Sequence, residues 1–152
     1  MFNDSGFFST VIKDIYPDEM VLKETNISLT ECNYLDIKVK CSENGIFSYC
    51  SYDKRLDYDF QVINYPDLSG NIPKNQSYGV FVSQLSRLCE INSVVERFYS
   101  DVNLLVIKLR KLGYDGKELK AKFLKFYCSE MNRWSKFGVD ISDFGIGIDM
   151  IL

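Results

Sequence analysis

The sequence predicts an α+β fold, in which an N-terminal helix and a small antiparallel β-hairpin sheet precede a C-terminal helical bundle. Residues 35–40 alternate apolar and polar side chains with the period of two that is typical of a strand. Asn44 and Gly45 follow, and this pair favours a hairpin turn because it tolerates positive φ. From Val95 to Leu112 the apolar residues recur every three or four positions, which indicates a helix with one buried face.

The N-terminal part carries both helix and strand signals. Apolar residues from Phe7 to Ile15 recur at helical spacing, and Pro17 ends the pattern. A short strand is predicted over 20–25. The hairpin is predicted over 34–52, with its strands at 35–40 and 46–52. These elements form a first region of residues 1–60.

A turn-rich connection separates this region from the helices. Residues 61–75 are rich in Asp, Asn, Gly and Pro, which predicts an irregular connection and an internal boundary. A helical bundle is predicted over 76–137, followed by a mobile tail over 138–152.

Three helices are predicted in the bundle. The first spans 77–89, with Gly79 weakening its first turn. The second begins after a cap at Ser93 and ends at Gly113, where a glycine commonly terminates a helix. The third begins after Asp115 and buries an apolar face that includes Phe123.

Composition excludes several classes of protein. With 152 residues, of which 46% are hydrophobic, the chain can bury a core and is not of a disordered class. It has no histidine, which excludes hydrolases with an imidazole base and zinc sites with histidine ligands. Its five cysteines include no C-x-x-C pair, which indicates free thiols in a reducing compartment. No apolar run is long enough for a membrane helix and the start lacks the features of a signal peptide, so we expect an intracellular protein, cytoplasmic or nuclear, without a membrane partner.

Charge is distributed unevenly along the chain. Residues 1–107 contain nine Lys or Arg against fifteen Asp or Glu, whereas residues 108–136 contain nine against three. This basic segment is either a solvated helix face or a surface that tracks phosphate groups. The acidic group Asp53, Asp57 and Asp59 is interpreted as surface carboxylates rather than as a two-metal site. The residues therefore predict no catalytic and no metal-ligating side chains.

Eight segments of the chain, taken in order, carry a resemblance to a known family. They are residues 14–20, 34–37, 52–60, 62–66, 71–73, 78–87, 108–114 and 125–127. Together they resemble the C-terminal part of reverse transcriptases from animal retroelements, of the non-long-terminal-repeat or Penelope-like kind. The resemblance implies that 1–60 is a remnant of the palm, and that 76–137 corresponds to the thumb, which holds the template–primer duplex by its backbone. It also implies a primer-grip-like role for Tyr34, Leu35 and Asp36.

The resemblance also implies that this chain alone is inactive as an RNA-directed DNA polymerase. The sequence contains no aromatic-x-Asp-Asp motif, and polymerases need such carboxylates to hold catalytic metal ions. No cofactor is therefore expected here, since Mg²⁺ belongs to the complete polymerase. The expected partner is an RNA–DNA or DNA duplex, contacted through positively charged side chains. These side chains are Lys54, Arg55, Arg87, Lys108, Lys111, Lys117, Lys122 and Lys125.

Two other interpretations stay open. In the first, the chain is a non-catalytic structural or protein-interaction module, a domesticated or decaying relic of a retroelement without nucleic-acid binding. Alternatively, it is one part of an intact polymerase whose N-terminal portion is encoded separately. Loss of the rest of the palm would expose an edge of the hairpin sheet, so we also predict weak self-association through that edge.

Overall fold

The structure, a computed structural model, describes residues 15–17, 20, 26–59 and 64–138. A four-stranded antiparallel sheet is followed by helices, which confirms the α+β prediction. The predicted N-terminal helix, the strand over 20–25 and the tail beyond residue 138 lie outside the described residues, apart from isolated positions at their ends.

The sheet is a meander whose strands pair in chain order. Its strands are β1 (Asn26–Ser28), β2 (Glu31–Tyr34), β3 (Ile37–Cys41) and β4 (Phe47–Ser51). β3 and β4 form the predicted hairpin, with Ile37 opposite Ser51. Gly45 has a φ of +75°, and its N–H donates to the carbonyl of Ser42 at 2.9 Å. The hairpin and its turn are therefore confirmed.

The first strand of the hairpin was predicted to begin two residues too early, at residue 35 rather than at Ile37. Leu35 and Asp36 do not belong to a strand but form the tight turn between β2 and β3. Leu35 has a φ of +55°, a conformation that costs a residue with a Cβ about 1–2 kcal/mol. Because glycine or asparagine normally signals such a turn, the sequence pattern did not reveal it, and β2 was missed.

Within residues 64–138, four α-helices follow the sheet. They are α1 (Lys74–Ile91), α2 (Val95–Lys111), α3 (Gly116–Ser129) and the short α4 (Met131–Trp134). Single 3₁₀ turns occupy Lys54–Asp57 and Ser135–Phe137. Among the described residues, no helix combines the length and the hydropathy that crossing a membrane requires.

Of the two helix N-caps predicted in the bundle, one is confirmed and one is wrong. Asp115 accepts hydrogen bonds from the N–H groups of Lys117 and Glu118 at 2.9 and 3.1 Å, as a helix N-cap does. The predicted cap at Ser93 is wrong, because Val94 holds the cap position of α2 without a side-chain bond. The hydroxyl of Ser93 instead bonds to the backbone of Tyr49 in β4.

The buried core lies in the helical region. Trp134 is at its centre, with ring centroids 5.1 Å from Phe98, 5.4 Å from Tyr127 and 5.6 Å from Phe126. All buried hydrophobic side chains of the described residues lie between Tyr78 and Trp134. The sheet therefore depends on the helices for its position rather than on a core of its own.

The end of the connection runs along this core. Residues 64–73 contain no helix or strand, and Leu68 packs against the buried side chains. The N–H of Leu68 donates to the carbonyl of Leu112 at 3.1 Å, and the Tyr114 hydroxyl donates to the carbonyl of Pro66 at 3.0 Å. These bonds fix the connection to the turn between α2 and α3.

The end of α2 requires its glycine. Gly113 has a φ of +85°, and its N–H donates to Arg110 while that of Tyr114 donates to Leu109, as in a Schellman motif. We expect Gly113→Ala to lower the free energy of unfolding by about 1–2 kcal/mol, because the strained φ is retained. Urea unfolding measures this change.

The control for that prediction is Gly79→Ala, in the interior of α1. An added Cβ at Gly79 meets no atom within 4 Å, so this variant should raise the free energy of unfolding by about 0.5–1 kcal/mol. Changes of the same sign in both variants would contradict the assignment.

Candidate nucleic-acid interface

A cleft opens where the sheet packs against α1 and α2. Its volume is about 390 Å³, and its walls come from the turn between β2 and β3, the first 3₁₀ turn, α1 and α2. Three carboxylates line it, those of Asp36, Asp53 and Asp101. Five cationic side chains line it as well, namely Lys54, Arg55, Arg87, Arg97 and Lys108. The cleft therefore carries an excess of two positive charges.

Arg55 is held by a two-pronged ion pair with Asp53. Nε of Arg55 lies 2.6 Å from Oδ1 of Asp53, and Nη2 lies 2.7 Å from Oδ2. Asp53 also caps the 3₁₀ turn, since its carboxylate accepts from the N–H of Arg55 at 3.2 Å. Hydrogen bonding to Arg55 lowers the pKa of Asp53, and the same pair raises the pKa of Arg55.

A second pair connects the sheet to α1. Nε of Arg87 donates to Oδ2 of Asp36 at 3.1 Å, and the adjacent Nη2 contacts the same oxygen. Hydrogen bonding to Arg87 lowers the pKa of Asp36. Because Asp36 lies in the turn after β2, this pair fixes the turn at the rim of the cleft, where the side chain of Leu35 is 75% exposed.

One face of α2 forms the opposite wall. Four side chains of α2 line the cleft, and they follow one another at steps of four, three and four residues, which places them on one side of the helix. They belong to Arg97, Asp101, Leu104 and Lys108. Sequence reasoning included Lys108 but missed Arg97. Counting back from Lys108 along the helical period would have found it.

Arg97 and Lys108 make longer ion pairs than the arginines described above. Nε of Arg97 lies 3.5 Å from Oδ1 of Asp101, and Nζ of Lys108 lies 3.9 Å from Oδ2 of Asp53. Both cationic side chains are half exposed. Their charge is therefore accessible from the cleft.

A buried polar network joins β4 to the helices beside the cleft. Asn92 is fully buried, and its amide donates to the carbonyl of Leu88 and to Asp101, both at 3.0 Å. Its side-chain oxygen accepts from the N–H of Ser51 at 3.3 Å, and the Ser51 hydroxyl donates to Asp101. The carboxylate of Asp101 thus connects the sheet, the α1–α2 turn and α2.

The same turn covers the outer edge of β4. The N–H of Tyr49 donates to the Ser93 hydroxyl at 2.9 Å, and its carbonyl accepts from the N–H of Ser93 at 2.9 Å. Since Ser51 bonds to Asn92, two successive outward positions of β4 are paired. Weak self-association stays a prediction, and among the described strands β1 is the edge that remains for it.

The remaining predicted cations do not line the cleft. Lys111 is exposed three residues beyond Lys108, and so continues the cleft-facing side of α2 toward its end. Lys117 and Lys125 are exposed and Lys122 is half-buried on α3, which turns its apolar face into the core. The basic segment of the sequence is therefore divided between the cleft wall and a separate surface of α3.

The acidic group after the hairpin does not assemble into one site. Asp53 faces Arg55, whereas Asp57 accepts a hydrogen bond from the Tyr52 hydroxyl, which raises the pKa of Tyr52. Within the described ranges, no three Cys, Asp or Glu side chains converge to hold a metal ion.

Burial also raises the pKa of Tyr65, a half-buried residue of the cleft wall.

Comparison of the chain with protein-family models, with curated proteins and with solved structures finds no match.

Proposed function

We propose that this chain binds the backbone of a nucleic-acid duplex, as the resemblance to the thumb and primer-grip regions of reverse transcriptases implies. The observation that supports it best is the convergence of four predicted cations on one cleft. Lys54 and Arg55 come from the 3₁₀ turn, Arg87 from α1 and Lys108 from α2. Affinity for nucleic acid comes largely from such side chains, because they neutralise phosphates and release bound counterions.

The size of the cleft indicates which part of a nucleic acid it could bind. At about 390 Å³ it suits one strand of sugar-phosphate rather than a whole duplex. Lys111 would extend this contact along α2. Lys117, Lys122 and Lys125 would form a second contact with phosphates farther along the duplex. Because the aromatic-x-Asp-Asp motif is missing from the sequence, we propose binding without polymerisation.

A second candidate function is a structural or protein-interaction module without nucleic-acid binding. It is favoured by the pairing of Arg55, Arg87 and Arg97 with carboxylates, since ion pairs can have a structural role alone. The Arg87–Asp36 pair joins the β2–β3 turn to α1, whereas the other two pairs are local, one at the 3₁₀ turn and one within α2. The separation of the α3 lysines from the cleft also favours it.

Salt-dependent binding separates the two candidates. We expect the chain to bind an RNA–DNA hybrid duplex, with an affinity that falls at least about 10²-fold between 50 and 200 mM salt. Fluorescence anisotropy of a labelled duplex measures this. No binding at the lower salt concentration would contradict duplex binding and leave the structural module.

A pair of variants locates the contact. Lys54→Gln combined with Lys108→Gln should reduce the slope of log affinity against log salt by about 2, one unit for each lost phosphate contact. Lys38→Gln combined with Lys40→Gln is the matched control, since both lysines pair with Glu31 on the sheet at 2.7 and 3.0 Å. Equal losses in both variants would show that net charge, not the cleft, determines binding.

A further inference from the structure

Two carboxylates occupy the guanidinium groups that duplex binding would use. Arg55 presents Nε and Nη2 to the two oxygens of Asp53, and Arg87 presents the same two nitrogens to Asp36. Arginine binds phosphate oxygens with this same edge of the guanidinium group. A phosphate in the cleft and these two carboxylates therefore compete for the same N–H donors.

The ion pairs are exposed enough to be exchanged. The side chains of Arg55 and Asp53 are 40% and 27% exposed, and those of Arg87 and Asp36 are 49% and 43% exposed. Pairs at such positions contribute little to stability, because water and salt screen them. Opening them for a ligand thus costs little compared with the gain from neutralising a phosphate.

Backbone anchors keep the carboxylates near the arginines after exchange. Asp53 lies at the cap of the 3₁₀ turn, and Asp36 lies in the two-residue turn between β2 and β3. Neither can move far from the cleft while the sheet is folded. The competitor therefore stays at a high local concentration, as a tethered ligand does.

We infer that the carboxylates of Asp36 and Asp53 compete with phosphate for the guanidinium groups of Arg55 and Arg87. They thereby mask these arginines and lower the affinity of the cleft for a nucleic-acid backbone. A backbone phosphate binds by displacing these carboxylates from the guanidinium groups. The inference rests on the proposed function and adds a control of its affinity. Removing both negative charges would raise the excess positive charge of the cleft from two to four.

Neutralising the competitor tests this inference. Asp36→Asn combined with Asp53→Asn should raise affinity for the RNA–DNA hybrid about tenfold or more at 50 mM salt, and steepen the salt slope by about 2. Asparagine can still cap the 3₁₀ turn. The matched control is Glu31→Gln combined with Glu43→Gln, which removes two negative charges outside the cleft. It should change affinity less than about threefold, since neither carboxylate lines the cleft and Glu31 pairs with Lys38 and Lys40 of the sheet. Equal gains in both double variants would overturn the inference.

A second measurement needs no variant. In the unaltered chain, the NMR signals of the Arg55 and Arg87 Nε–H groups should shift on addition of duplex. The shifts should saturate at the same duplex concentration as the fluorescence anisotropy. Binding that leaves both signals unmoved would overturn the masking and leave duplex binding intact. If neither the unaltered chain nor the variants bind at low salt, the proposed function fails and the inference fails with it.

Discussion

Phe98→Ala is expected to lower the free energy of unfolding by about 3–5 kcal/mol, because it removes a fully buried ring from the centre of the helical core. The ring centroid of Phe98 lies 5.1 Å from Trp134, 5.9 Å from Phe137 and 6.5 Å from Phe123. Neighbours held in three different elements cannot all close the cavity. Urea unfolding followed by circular dichroism and tryptophan fluorescence measures the loss, since Trp134 reports directly on this cluster.

Phe47→Ala is the matched control, because it removes the same side chain where it is 69% exposed on β4. It should cost less than about 1 kcal/mol. A similar loss in both variants would mean that the stability of the chain does not reside in the aromatic cluster around Trp134.

Asp101→Ala is expected to lower the free energy of unfolding by about 2–3 kcal/mol, mostly because it leaves buried hydrogen-bond donors without their acceptor. The carboxylate is 8% exposed and accepts hydrogen bonds from the Asn92 amide and the Ser51 hydroxyl. Buried donors without an acceptor keep the full penalty of having lost water. Since these donors connect the sheet to the helices, the amide protons of β4 should also exchange faster.

Two further variants distinguish the network from the charge. Asp101→Asn retains one acceptor oxygen and should cost about half as much as Asp101→Ala. Glu96→Ala removes a carboxylate from the exposed first turn of the same helix, and should cost less than about 1 kcal/mol. Protection of β4 that is unchanged in Asp101→Ala would show that this network does not hold the sheet.

The elements that were predicted correctly have local causes. Asn44 and Gly45 form their turn, Gly113 ends α2 and Asp115 caps α3, each through bonds to residues within five positions along the chain. Such choices depend on the conformational preference of one or two residues, which the sequence states directly. The apolar period of α2 is equally local.

The errors have tertiary causes. Ser93 has the side chain of a helix cap, but packing brings β4 against it and its hydroxyl serves the strand. Leu35 adopts a positive φ that its type disfavours, while the Asp36–Arg87 pair holds the same turn. No pattern along the chain shows which distant partner will compensate for a local cost.

The candidate site divides in the same way. The residue types of a phosphate-binding surface could be read from the sequence, and four of the eight predicted cations meet in the cleft. Their pairing with Asp36 and Asp53 could not be read, because Asp36 and Arg87 are 51 positions apart and meet only when the sheet docks on α1. Grouping by sequence also joined the α3 lysines to the cleft, from which the fold separates them.

The covered edge of β4 has a consequence for synthesis on the ribosome. Asn92 and Ser93 follow their strand partners by 41 and 44 positions, so the outer hydrogen-bonding groups of β4 are made before the residues that satisfy them. At bacterial or eukaryotic elongation rates this interval lasts roughly 2–9 s. During it the nascent strand presents an unpaired edge, which is prone to aggregation until Asn92 and Ser93 have emerged.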